Sequence, residues 1–179
     1  MNTSGVSIKY LISEDGDLIA PNTSPYSLGI NKQNFVSGEK VKLQSLTAGG
    51  LANALTGASG SSSVFLGGIT AYRNEFKQHM LGVDPKLIAE HTVVSEAVAN
   101  AMGDGANKTF GSTWAIATTG AAGPAPLEGH APGSVWIAIR GPINQAIQLN
   151  LEGNREQVRN GTISTAIGTF ARILKFRSA

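Results

Sequence analysis

The stretch KLQSLTAGGLANALTG, residues 42–57, runs from an extended segment through a glycine turn into a helix. Residues 42–46 have extended character, Gly49 and Gly50 permit close backbone approach, and Leu51, Ala54 and Leu55 recur at helical spacing. A turn of this kind often presents a nucleophile or binds an anion, because the first turn of a helix leaves backbone N–H groups unpaired and pointing outward. Leu46 stands where the reactive side chain would be expected. A leucine has neither a proton to move nor a lone pair to attack with.

Outward from this stretch, strand and helix patterns alternate. Residues 41–46 predict a strand, 49–55 a helix, SSSVFLGGITAY a second strand from about Ser63, and 74–81 a short helix. Asp84 with Pro85 behind it reads as a helix start, and Ser95 caps a further helix with Val98, Ala99, Met102 and Ala106 on one face. TWAIATTG, GSVWIAIR and QAIQLNL are strand-like. Asn154 followed three residues later by Gln157 forms a capping-box pattern, and Val158, Thr162, Ala166, Phe170 and Leu174 then recur every four residues. Gly161 and Gly168 inside this last helix each cost about 1 kcal/mol relative to alanine, so close packing is expected at both. The pattern predicts a layered α/β domain over residues 41–179. The preceding residues 1–40 lack helical periodicity and read as an N-terminal extension: a hairpin in SIKYLISEDGDLIAP, then an irregular connection.

Composition narrows the function. The chain has 179 residues, 41% of them hydrophobic and 15% charged, the proportions of a packed domain. The net charge of +2 is spread along the chain, so nucleic acid binding is not signalled. Without cysteine there is no disulfide or thiolate metal site, and His79, His91 and His130 lack ligand spacing, so no metal or other cofactor is expected. No stretch approaches the roughly 18 apolar residues of a membrane span and the N-terminus has no leader pattern, so a cytoplasmic protein without membrane contact is expected. The glycosylation sequons at Asn2, Asn22, Asn107 and Asn160 are then coincidental.

Four blocks, TAGGLANALTGASGSSSVFLGGITAYRNEFKQHMLGV, HTVVSEAVANAM, ATTGAAGPAPLEGHAPGSVWIAI and EGNREQVR, give the region from residue 41 to about 175 its identity. In this order they resemble the C-terminal domain of the CinA family, the nicotinamide-mononucleotide deamidases. The resemblance implies a three-layer α/β/α sandwich with a mixed sheet, assembled as a homodimer or higher homo-oligomer. It also implies metal-free hydrolysis of the carboxamide of nicotinamide mononucleotide to the acid and ammonia. The family's first motif reads Glu-Ser-Cys-Thr-Gly-Gly, with the serine as nucleophile. Aligned on Gly49 and Gly50, this chain has Ser45, Leu46, Thr47 and Ala48. Leu46 thus replaces the nucleophile, and the polar positions at 45 and 48 have changed with it.

The rest of the implied machinery is retained. Tyr72 and Lys77 in AYRNEFK match the family's Tyr-Ser-Asn-Glu-Ala-Lys, which implies a lysine base and a tyrosine that relays or orients a proton. Thr119 and Gly120 in ATTGAAGP, Gly49 and Gly50, and Arg155 in EGNREQVR match motifs associated with the ligand pocket. Read on spacing alone, Tyr72 is a half-buried aromatic, Lys77 a solvated lysine, Arg155 an exposed helix-start residue and the glycines tight turns. Thr47 is a poor substitute nucleophile, because strand alternation sends its side chain to the face opposite residue 46. GASGSSS lacks the Gly-Lys-Ser/Thr ending of a phosphate loop. Three functions are compatible with this set. One is a small-molecule pocket of pyridine-nucleotide type with weak or no amidohydrolase activity. Another is an enzyme in which Lys77 and Tyr72 perform acid–base chemistry on another small molecule. The last is a non-catalytic assembly protein.

Overall fold

The computed structural model describes Leu11–Ile12, Leu18–Ile19, Val41–Leu43 and residues 46–178. Ser45, the connection at 22–40 and the sequons at Asn2 and Asn22 lie outside the described residues. Strands β1 (Leu11–Ile12) and β2 (Leu18–Ile19) pair antiparallel, and the rest of the expected hairpin lies outside the described residues.

The remaining strands are β3 (Val41–Leu43), β4 (Phe65–Gly68), β5 (Trp114–Gly120), β6 (Ser134–Arg140) and β7 (Gln145–Asn150). They form one sheet in the order β4-β3-β5-β6-β7. The first three run parallel, and β5-β6-β7 run antiparallel. Helices α1 (Gly50–Thr56) and α5 (Arg155–Ser178) cover one face, while α2 (Asn74–Leu81), α3 (Pro85–His91) and α4 (Glu96–Phe110) cover the other. This is the three-layer α/β/α sandwich with a mixed sheet.

Side-chain alternation builds the two cores. Trp114 and Ile116 of β5 and Val135, Ile137 and Ile139 of β6 face Leu51, Ile163, Ile167 and Phe170, with Trp114 set edge-on to Phe170 at 5.3 Å. Ala115, Ala117 and Ala138 point the other way, toward Val98, Ala99 and Met102 of α4. Large residues on one face and alanines on the other let α4 approach the sheet closely. Gly105 of α4 sits against the carbonyl of Leu81 at the end of α2, where any side chain would overlap the backbone.

The predicted helix starts form through local hydrogen bonds. Asp84 Oδ1 accepts from Lys86 N at 2.8 Å, and Ser95 Oγ accepts from Val98 N at 3.3 Å. Asn154 and Gln157 bond reciprocally: Oδ1 of Asn154 accepts from Gln157 N, and Oε1 of Gln157 from Asn154 N. Two expectations require correction. Residues 61–63 form a 3-10 turn, not the start of β4, because Ser63 Oγ donates to Gly60 O at 2.8 Å and competes with strand pairing. Gly168 is not required by packing, since nothing lies within 4 Å of a Cβ built there, whereas a Cβ at Gly161 would lie 3.2 Å from the Leu151 side chain.

Candidate functional site

The carboxyl ends of the parallel strands β3, β4 and β5 open at the same edge of the sheet. The Gly120–Val135 and Ser134–Asn150 pairings bring the end of β7, and therefore the start of α5, to that edge as well. A cavity of about 260 Å³ lies there. In open α/β sheets this edge is the usual place for a ligand, because the strand-to-helix connections diverge and leave a crevice.

Leu46 lines this cavity together with Tyr72, Lys77, Thr119, Gly120 and Arg155. The turn after β3 is tied to β5: the Leu46 N–H donates to both the carbonyl and Oγ1 of Thr118, each at 3.0 Å. Leu46 itself is half-buried and packs on the α1/α5 core. Thr47 is buried with 1% exposure, and its Oγ1 accepts from Leu51 N at 3.3 Å while its carbonyl accepts from Arg159 Nη2 at 2.7 Å. It caps α1 and anchors α5, which leaves it no position in the cavity. Ala48 completes the turn at φ +47°, a left-handed conformation.

Lys77 is far from the solvated lysine that spacing alone predicts. It shares the inward face of α2 with Leu81 and is only 7% exposed. Its Nζ donates to Asn74 Oδ1 at a long 3.3 Å, one turn earlier on the helix. Burial pulls its pKa below the ordinary 10.5, since an ammonium loses hydration there; the Glu128 carboxylate opposes the shift. Glu128 was not identifiable from the sequence. It reaches the site on the long β5–β6 connection, at φ +48°, and its Oε2 accepts from Val93 N at 2.8 Å. A bond of 2.7 Å between His130 Nε2 and Thr92 Oγ1 fastens the same connection to the end of α3, so residues 121–127 form one wall of the cavity.

Tyr72 is 67% exposed at the cavity mouth, and its hydroxyl accepts from Arg155 Nη2 at 3.1 Å. Arg155 Nη1 also donates to the Gly123 carbonyl at 3.0 Å. The guanidinium therefore bridges the post-β4 segment and the post-β5 turn. Thr119 Oγ1 donates to Val93 O at 2.6 Å, so this hydroxyl fixes the α3–α4 connection. Gly120 is demanded by strand pairing, because a Cβ there would lie 2.6 Å from Ser134 O. Gly49 lies outside the lining, with φ +86° at the start of α1. Gly50 borders a neighbouring recess of about 350 Å³ shared with Arg155 and Arg159. His79 bonds to Glu75 O and His91 approaches Glu90 at 3.8 Å; among the described residues no three His, Cys, Asp or Glu come together to hold a metal. No helix among the described residues is long and apolar enough to cross a membrane.

A buried lysine, a hydroxyl fixed by arginine and an aliphatic side chain where the turn should present a nucleophile are thus gathered in one crevice. Comparison with known proteins identifies its relatives. The family model described as the CinA C-terminal domain matches residues 37–174. A CinA-like protein of Prochlorococcus marinus is 42% identical over 146 residues, covering 79% of this chain and 34% of the relative. A putative competence-damage inducible protein of Pediococcus pentosaceus is 40% identical over 119 residues, covering 65% and 29%. The chain thus spans about a third of the length of these curated relatives. Among solved structures, the competence damage-inducible protein A of Klebsiella pneumoniae superposes with a TM-score of 0.73 at 28% identity, covering 76% of this chain and 86% of that one. A competence/damage inducible protein of Agrobacterium tumefaciens gives 0.72 at 29% identity, covering 76% and 85%. The family-model match, the sequence relatives and the superposed structures agree, and the chain belongs to the CinA C-terminal domain family.

Proposed function

We propose that the crevice is a small-molecule pocket of pyridine-nucleotide type whose amidohydrolase activity is weak or absent. The observation that carries this reading is that Leu46 lines the same cavity as Lys77 and Tyr72. A base is available there, but the position that would hold a nucleophilic hydroxyl holds an isobutyl group. Carboxamide hydrolysis would then have to proceed by attack of a water molecule that Lys77 deprotonates, and it lacks the covalent intermediate that divides a difficult step into two easier ones. Arg155 at the mouth suits an anionic group of the ligand, since a guanidinium presents paired donors to a carboxylate or phosphate. Titration of the purified protein with nicotinamide mononucleotide by calorimetry tests the reading. Saturable binding with little ammonia release is expected, and absence of binding at millimolar ligand overturns it.

The depressed pKa of Lys77 favours a second reading, acid–base chemistry by Lys77 and Tyr72 on another small molecule. If Lys77→Ala and Tyr72→Phe left every activity in a substrate screen unchanged, that reading would fall. In either case we place the protein in the cytoplasm as a homodimer or higher homo-oligomer, with residues 1–40 as an appended arm on the catalytic-type domain 41–179. Deleting residues 1–38 without change in oligomeric mass or solubility would remove an assembly role from that arm.

A further inference from the structure

With no hydroxyl on residue 46, the strongest nucleophile facing the cavity is the Lys77 amine itself. Several features equip it for attack on carbon. The side chain is 7% exposed; among the described residues no carboxylate lies within 4 Å of it, Glu128 acting only from farther away, and the hydrogen bond its Nζ gives to Asn74 Oδ1 is long at 3.3 Å. An ammonium in such a place is poorly satisfied, and a neutral amine is much better suited to it. Tyr72 and Arg155 border the same space. Because the Tyr72 oxygen accepts from Arg155, its own O–H is turned away from the guanidinium and is able to donate elsewhere.

We propose that Lys77 forms an imine with a small aldehyde or 2-oxo compound carrying an anionic group. The inference rests on the cavity being a small-molecule site, but not on its ligand being a pyridine nucleotide. Neutral Nζ attacks the carbonyl carbon, the carbonyl π pair moves to oxygen, and proton transfer from nitrogen to that oxygen gives a carbinolamine. The hydroxyl then leaves as water after taking a proton that the Tyr72 O–H supplies, the nitrogen lone pair closes the C=N bond, and the remaining N–H proton returns to Tyr72. Amine and carbonyl are converted to imine and one water, with no change of oxidation state. Arg155 holds the anionic end. The protonated form of the imine withdraws electrons from the adjacent carbon, the usual reason for an enzyme to use lysine in this way.

The test uses the full chain at pH 7 with glyoxylate and sodium cyanoborohydride, followed by peptide mapping over time. The exposed Lys86, Lys108 and Lys175 serve as internal references. Lys77 is expected to be modified faster than these, since a buried amine with reduced proton affinity has a larger neutral fraction than an exposed one. Arg155→Ala is expected to slow labelling by glyoxylate several-fold more than labelling by the uncharged glycolaldehyde, because only glyoxylate loses its anion partner while both lose the arginine that orients Tyr72, and Tyr72→Phe is expected to slow both to the same extent. Modification of Lys77 no faster than the reference lysines, with both aldehydes, overturns the proposal. Calorimetry with nicotinamide mononucleotide separates the two readings. Binding with unlabelled Lys77 removes only the imine, whereas fast labelling without binding removes only the pyridine-nucleotide ligand.

Discussion

Replacing Leu46 with serine puts a hydroxyl at the one position where the crevice lacks it. The cost follows from the setting of the side chain. Burying a leucine fully is worth enough that truncation to alanine typically loses about 2–5 kcal/mol. Leu46 is only half-buried and already borders an open cavity of about 260 Å³, so shortening it widens a space water can enter instead of creating a sealed void. A loss of about 1–2 kcal/mol is expected, or a fall in Tm of roughly 2–8 °C for a chain of this length. Leu46→Ala, which makes the same space without the hydroxyl, should match it in stability. Only the serine variant should gain activity. A positioned base contributes about 10²–10⁴-fold in evolved sites. The neighbouring Ser45 and Ala48 depart from the family motif, so a gain of about ten- to a hundredfold in ammonia release from nicotinamide mononucleotide is the expected scale. The gain should grow as pH rises and Lys77 loses its proton, and Lys77→Met should abolish it. A folded Leu46→Ser protein that releases ammonia no faster than Leu46→Ala would refute the view that Lys77 still serves a deamidase pocket.

Further predictions concern stability. The folded protein holds the Lys77 proton less tightly than the unfolded chain, so its burial is destabilising at every pH below its folded pKa, and this is relieved as pH rises from there to 10.5. Lys77→Met should therefore raise the urea midpoint at pH 7, and its advantage should shrink as pH approaches 10.5; an advantage that grows with pH would contradict the desolvated amine. Gly105→Ala forces a methyl group into the Leu81 carbonyl and should cost about 3 kcal/mol in a denaturant titration, whereas Gly168→Ala meets nothing within 4 Å and should stabilise by about 0.5–1 kcal/mol. Equal effects at the two glycines would show that the α4 approach is not as close as described. Ala48→Gly should stabilise by roughly 0.5–1 kcal/mol, because an exposed alanine at φ +47° pays a steric cost that glycine does not. A lower thermal midpoint for Ala48→Gly would count against that backbone conformation.

The features legible in the sequence are those that act over a few residues. Asp84, Ser95 and the Asn154–Gln157 pair announce helix starts because each capping bond spans two or three positions, and the structure forms every one. The alternation of strands and helices, with the glycine turn at 49–50, specifies the layered architecture for the same reason. Asn74 acts over the same short range, three residues before the lysine it bonds. The start of β4 at Phe65 is less legible, because the local serine hydrogen bonds at 61–63 compete with strand character there.

The chemistry of the crevice depends on separations that no local pattern encodes. Tyr72 and Arg155 meet across 83 positions, and Glu128 reaches Val93 across 35. The sequence determined which groups exist: a lysine, a tyrosine, an arginine, and a leucine in place of a hydroxyl. Only the tertiary structure decided that Lys77 is buried on the inner face of α2, that Glu128 comes close enough to oppose its deprotonation, and that Thr119 and Gly120 hold the framework together. It also decided which glycines matter, since Gly105 and Gly168 are both helical glycines in the sequence and differ only in what the neighbouring elements bring against them. Protonation, burial and packing are properties of the environment a residue is folded into, and that environment is assembled by β-strand register and helix placement far from the residue in the chain.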